Sequence, residues 1–137
     1  MKYRFMLSIV AVLLMVVLAA CGGSGNANQV NVSLTEFKIQ SSQTAFTAGT
    51  TYHFVVTNNG QINHEFMIAP PMNGQIPMGQ MDKMALYVID QSQLPPGASK
   101  SFDYTFPSSE VQKSLEFACN LPGHYEAGMH LPVTITS

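Results

Sequence analysis

The strongest constraint on the fold is a succession of short β-patterned stretches, each closed off by turn-forming residues. Asn31 to Ile39 alternates polar and apolar side chains until its end, as a half-buried strand does. Thr51 to Thr57 is β-branched and aromatic, and Asn58-Asn59-Gly60 closes it as a turn. Ile62 to Ala69 is stopped by Pro70-Pro71, and Met84 to Ile89 reads as a short or irregular edge strand. Lys100 to Phe106 alternates between Pro95-Pro96-Gly97 and Pro107, and Ser114 to Cys119 and Pro132 to Thr136 complete the set. Seven to eight short strands with turn signals between them predict an all-β sandwich with long cross-connections. The long irregular stretch from Pro70 to Lys83 predicts a short helix, a functional segment, or both.

At 137 residues the chain has room for one ordinary domain. Its 46% hydrophobic content, with eight Phe and five Tyr, supports a packed core rather than disorder. Six basic residues against eight acidic ones leave no clustered positive patch, which excludes a nucleic-acid partner. No nucleophile–base pair or phosphate-binding loop is evident, so a non-enzymatic role is expected.

The N-terminus reads as an export signal. Lys2 and Arg4 precede an almost wholly apolar run from Phe5 to Ala20, and Leu18-Ala19-Ala20-Cys21 follows. The run is shorter than the roughly 20 residues of a membrane-spanning helix. Leu-Ala-Ala-Cys resembles a bacterial lipobox, which implies a lipidated Cys21 as the first mature residue and residues 1–20 as the signal peptide. The small polar segment 21–28 then serves as a tether, with residues 29–137 as the folded domain facing the periplasm or the extracellular side. Beyond residue 20 four lysines stand against eight acids, and Cys119 is the one thiol besides Cys21. A single leftover thiol in an exported chain points to a use other than a disulfide.

The chemistry sits in Asn63-His64-Glu65-Phe66 and in Cys119 to Met129. The second segment spaces a thiol, an imidazole and a thioether as Cys119-x4-His124-x4-Met129, and Pro122-Gly123 and Gly128 make it a loop. One Cys, two His and a weak Met form the ligand set of a blue-copper site, so a second His is required. His53 alternates away from Tyr52, Phe54 and Val56 and reads as solvent-facing. His64 shares a face with Phe66 and Ile68, and Cys119 with Leu115 and Phe117, so both enter from the core side.

With these residues in place the chain resembles the cupredoxins, the blue-copper family of plastocyanin, azurin and auracyanin. The likeness is carried by Tyr52 to Ile68 and Phe117 to Thr136, and more weakly by most of residues 29–137. It implies a Greek-key β-sandwich and one copper ion held by His64, Cys119 and His124, with Met129 as the weak axial ligand. It also implies that the His124 ring edge is the exposed exit for an electron, within an apolar docking patch, while Leu121, Pro122, Leu131 and Pro132 supply apolar cover near the loop. Three positions depart from the family pattern. Glu65 stands where Asn or Asp often ties the site to the ligand loop. Asn120 follows the cysteine in place of Ser or Thr. His130 follows Met129 and competes with it for the axial position.

Two functions stay open on this reading. The first is a monomeric, membrane-tethered carrier moving single electrons between protein partners. The second is a copper-handling lipoprotein. Met72, Met78, Met81 and Met84 keep the second open, either as an auxiliary Cu(I) site or as a soft docking surface, against plain core packing.

Overall fold

The computed structural model describes residues 28–72 and 78–137. Cys21, the signal segment and most of the tether lie outside the described residues. Nine strands form two sheets among the described residues. The four-stranded sheet has the order β2-β1-β4-β7, with β1 at Gln29–Thr35, β2 at Lys38–Ser41, β4 at Thr51–Asn58 and β7 at Ser99–Thr105. The five-stranded sheet has the order β3-β9-β8-β5-β6, with β3 at Ala45–Thr47, β5 at Phe66–Ala69, β6 at Tyr87–Ile89, β8 at Leu115–Ala118 and β9 at His130–Thr136. Pairs β1–β4 and β3–β9 are parallel and the others antiparallel. The all-β sandwich expected from the strand pattern is thus present.

The alternation predicted for the central strands is observed. In β4 every second residue, Tyr52, Phe54 and Val56, is buried, and His53 faces outward, 2.6 Å from Asp103 Oδ1. The space between the sheets is filled largely by aromatic rings. Phe46, Phe54, Phe66, Phe106 and Phe117 are all at most 1% exposed, with centroid separations of 4.9 to 6.5 Å along their contacts. Truncating one such ring to Ala costs about 3–5 kcal/mol in a comparable core.

The outer face of the five-stranded sheet is covered as well. Helix α1, Met78–Met84, packs against β5, and Met67, Ala69, Met81 and Ala118 form a second, smaller apolar cluster there. That is why all four residues of β5 and of β8 are buried. The short helix anticipated between Pro70 and Lys83 is therefore present, shifted toward its end.

One strand assignment is overturned. Asn31 to Ile39 is not a single strand but the β1–β2 hairpin, paired Thr35 with Lys38 around a two-residue turn, Glu36-Phe37. Val32 and Leu34 are buried at even positions and Ile39 at an odd one, so the inward parity switches within the segment. Phe37 makes the reversal at φ 60°, in the left-handed region, which is costly for a side chain of that size. The strand expected from Ile62 also starts later, at Phe66, because residues 59–65 form a loop organised by buried Asn58 at the end of β4. Its Nδ2 donates to the carbonyls of Ile62 and Leu94, each at 2.8 Å, and its Oδ1 accepts from the Gly60 N–H at 2.8 Å.

Candidate metal centre

The antiparallel register Met67–Ala118 sets the segment before β5 beside the segment after β8. His64 lies in the first and Cys119 in the second. The chain after Cys119 folds back in tight turns. The His124 N–H donates to the Leu121 carbonyl at 2.9 Å, the Met129 N–H to the His124 carbonyl at 3.0 Å, and the Cys119 N–H to the Met129 carbonyl at 3.1 Å. Gly123 and Gly128 sit at φ 81° and 101°, which a side chain would strain. The backbone of Met129 is therefore bonded to both Cys119 and His124.

These constraints converge three donors. His64, Cys119 and His124 are all buried, and one donor atom from each lies within 4.8 Å of the others. Cys119 Sγ is 3.4 Å from His124 Nδ1, and the two imidazole centroids are 5.2 Å apart. Both ring nitrogens of His64 are buried and without a hydrogen-bond partner among the described residues, an unusual state for a core histidine and the expected one for a ligand. Met129 is fully buried beside Cys119 in the main core.

The electrostatics keep the donors neutral. Burial pushes the Cys119 thiol up, opposed by the N–H groups of Leu121 and Glu65. Burial lowers both imidazoles, assisted at His64 by the neighbouring His124 and opposed at each by Glu36. Neutral imidazoles present a free lone pair. The thiol must lose its proton when a metal enters, so uptake releases protons and favours higher pH. The donor set of one thiol and two imidazoles suits copper.

The remaining candidates lie elsewhere. His130 faces the opposite side of the sheet from Cys119, with Nδ1 3.3 Å from Glu116 Oε2 and its ring stacked on Tyr125 at 4.5 Å. Glu65 is buried, is not among the clustered donors, and is raised to about 7 by burial, with Asp82 adding to the effect. Its Oε1 accepts from the Asn120 N–H at 3.4 Å, so Glu65 supplies the tie to the ligand loop that the sequence left in doubt. Of the methionines, Met81 is core packing at 1% exposure and Met84 is exposed at 46%.

Two residues at the site were not anticipated. The β1–β2 turn brings Glu36 Oε1 to 4.0 Å from His64 Nε2 and sets the Phe37 ring edge-on to His124, centroids 5.4 Å apart. His124 is consequently only 8% exposed, and the apolar surface over it belongs to Phe37, itself 47% exposed. The exposed ring edge expected at His124 is thus replaced by a covered one. The break in parity between Leu34 and Ile39 was the available signal for this turn.

No family model matches the chain. Among curated proteins, it is 37% identical over 79 residues to the copper-resistant cuproprotein CopI of Vibrio cholerae, covering 56% of this chain and 45% of that protein. It is 30% identical over 120 residues to CopI of Pseudomonas aeruginosa, covering 64% and 65%. The chain thus spans roughly half to two thirds of the length of these relatives. Among solved structures it superimposes on auracyanin from Roseiflexus castenholzii with TM-score 0.59 at 19% identity, covering 82% of this chain and all of that one. Rusticyanin from Thiobacillus ferrooxidans gives 0.60 at 15%, covering 80% and 78%. A multi-copper oxidase from Pediococcus acidilactici gives 0.57 at 12%, covering 88% of this chain and 29% of the oxidase. The chain has the cupredoxin fold, and its His64–Cys119–His124 cluster fits a type 1 copper site.

Proposed function

We propose that the protein is a type 1 copper protein that passes single electrons between protein partners while tethered to a membrane by a lipid on Cys21. The observation that carries the reading is the buried convergence of His64, Cys119 and His124, with the backbone of buried Met129 hydrogen-bonded to Cys119 and His124. A bound copper ion supplies a one-electron Cu(II)/Cu(I) couple. The chain supplies a dry, rigid setting for it. Cys119 is held in place by the Glu65 N–H, which donates to Sγ at 3.4 Å, and such a contact to the sulfur helps set the potential. His64 and His124 come from separate segments joined through the hydrogen-bonded β5–β8 pair, which restrains the donor positions. Among the described residues no helix is long and apolar enough to cross a membrane, and the tethering role rests on Leu18-Ala19-Ala20-Cys21.

The test is copper loading of the mature domain followed by its visible spectrum. An intense thiolate-to-copper band that disappears in Cys119→Ser supports the reading, and its absence from the wild type overturns it. Membrane release of a full-length Cys21→Ser variant with an unchanged spectrum tests the anchor.

A second reading, copper handling, is favoured by the similarity to the copper-resistant cuproproteins. Its candidate donors are Met72, Met78, Met81 and Met84. Replacing all four with Leu separates the readings, since such swaps usually cost under about 1.5 kcal/mol each. A carrier retains one tightly held copper and its self-exchange rate. Loss of a second copper, or of transfer to an acceptor protein, supports handling.

A further inference from the structure

The β1–β2 turn places each of its two side chains against one of the candidate histidine ligands, Glu36 toward His64 and Phe37 against His124. We propose that Glu36 is a positioning residue for His64, its carboxylate taking the Nε2–H so that Nδ1 is the nitrogen presented to the metal. The proposal deepens the copper reading and rests on it for the identity of the metal.

A neutral imidazole carries one N–H and one lone pair, and which nitrogen carries the proton is set by the partner of the other. Metal-bound histidines almost always give their second nitrogen to a carboxylate, a backbone carbonyl or a water. His64 is fully buried and both its nitrogens lack a hydrogen bond among the described residues, so one awaits a metal and the other awaits an acceptor. Glu36 Oε1, 4.0 Å from Nε2, needs only a small movement to become that acceptor.

The surroundings are built for that approach. The Gln61 N–H donates to the same Glu36 oxygen and holds it over the loop. Gly60 leaves the passage open. A Cβ there would lie 2.6 Å from Glu36 Oε1 and 2.9 Å from His64 Nε2, closer than atoms tolerate. The Glu36 side chain is 39% exposed, so its charge stays hydrated on one side while the other faces the buried ring. The left-handed Phe37 allows the two-residue reversal that brings Glu36 to this place.

The decisive measurement uses the metal-free domain, above the ordinary titration range of histidine, with nitrogen-15 NMR of the His64 ring. The wild type is expected to carry its proton on Nε2. Glu36→Ala should give a mixed tautomer and faster exchange of the ring proton. Glu36→Gln, which keeps an acceptor oxygen, should restore the wild-type signature. Gly60→Ala, which crowds the carboxylate without removing its charge, should resemble Glu36→Ala. In the copper-loaded domain Glu36→Ala should raise the reduction potential, because a negative charge that favours Cu(II) is lost. A wild-type proton on Nδ1, or a Glu36→Ala ring indistinguishable from wild type, overturns the proposal. Absence of the thiolate-to-copper band in the loaded wild type overturns the copper reading instead, and leaves the metal-free measurement to decide the role of Glu36.

Discussion

Glu65 and Asn120 are joined side chain to backbone, the carboxylate Oε1 accepting from the Asn120 N–H at 3.4 Å, while the Glu65 N–H donates to Cys119 Sγ at the same distance. One residue thus stitches the histidine segment to both the ligand sulfur and the residue after it. Glu65→Gln keeps an acceptor and should change the stability of the metal-free domain by less than about 1 kcal/mol. Glu65→Ala leaves the buried Asn120 N–H without its partner and should cost about 1–3 kcal/mol, read as a lower urea midpoint with an unchanged slope. Equal effects of the two substitutions would show that the bond contributes nothing.

Met129 and His130 are neighbours in sequence but face opposite sides of the five-stranded sheet, Met129 in the main core and His130 against Glu116. Met129→Leu should keep a coloured copper site and raise its potential, because a weak donor that favours Cu(II) is removed. His130→Ala should leave the potential nearly unchanged. Redox titration of the two variants checks the assignment, and the reverse pattern would make His130 the axial ligand.

Phe37 combines a left-handed backbone with an edge contact to His124. Phe37→Gly relieves a backbone cost of about 1–2 kcal/mol and forfeits an aromatic contact of about 0.5–1.5 kcal/mol. Thermal unfolding should therefore change little. The edge of His124 becomes open, and electron self-exchange should accelerate. A slower exchange would show that the Phe37 ring assists docking rather than covering the site.

Tyr125 anchors the ligand loop to the segment before α1. Its hydroxyl accepts from the Met72 N–H at 3.1 Å, and burial, with the Glu116 carboxyl adding to it, pushes the phenol up to about 12. Tyr125→Phe should cost about 0.5–1.5 kcal/mol. It should also speed amide exchange at Met72 while leaving that of β4 unchanged. An unaltered Met72 amide would show that the segment is held by its apolar contacts alone.

How much of this was legible in the sequence depends on the range of the interaction. Alternation within β4 and β7 was readable because strand geometry alternates side chains with a period of two whatever the partner strand. The Cys119-x4-His124-x4-Met129 loop was readable because its ligands are close in sequence and its glycines mark the turns. The separation of Met129 from His130, the burial of Glu65 and the contacts of Glu36 were decided only by the tertiary structure. Each depends on a partner from another strand, Glu116 for His130, Asn120 for Glu65 and His64 for Glu36. The β1–β2 turn lies between the two cases. Its parity switch from Leu34 to Ile39 is written in the chain, but reading it as a turn at a metal site required knowing that β1 lies beside β4, whose end leads into the loop carrying His64.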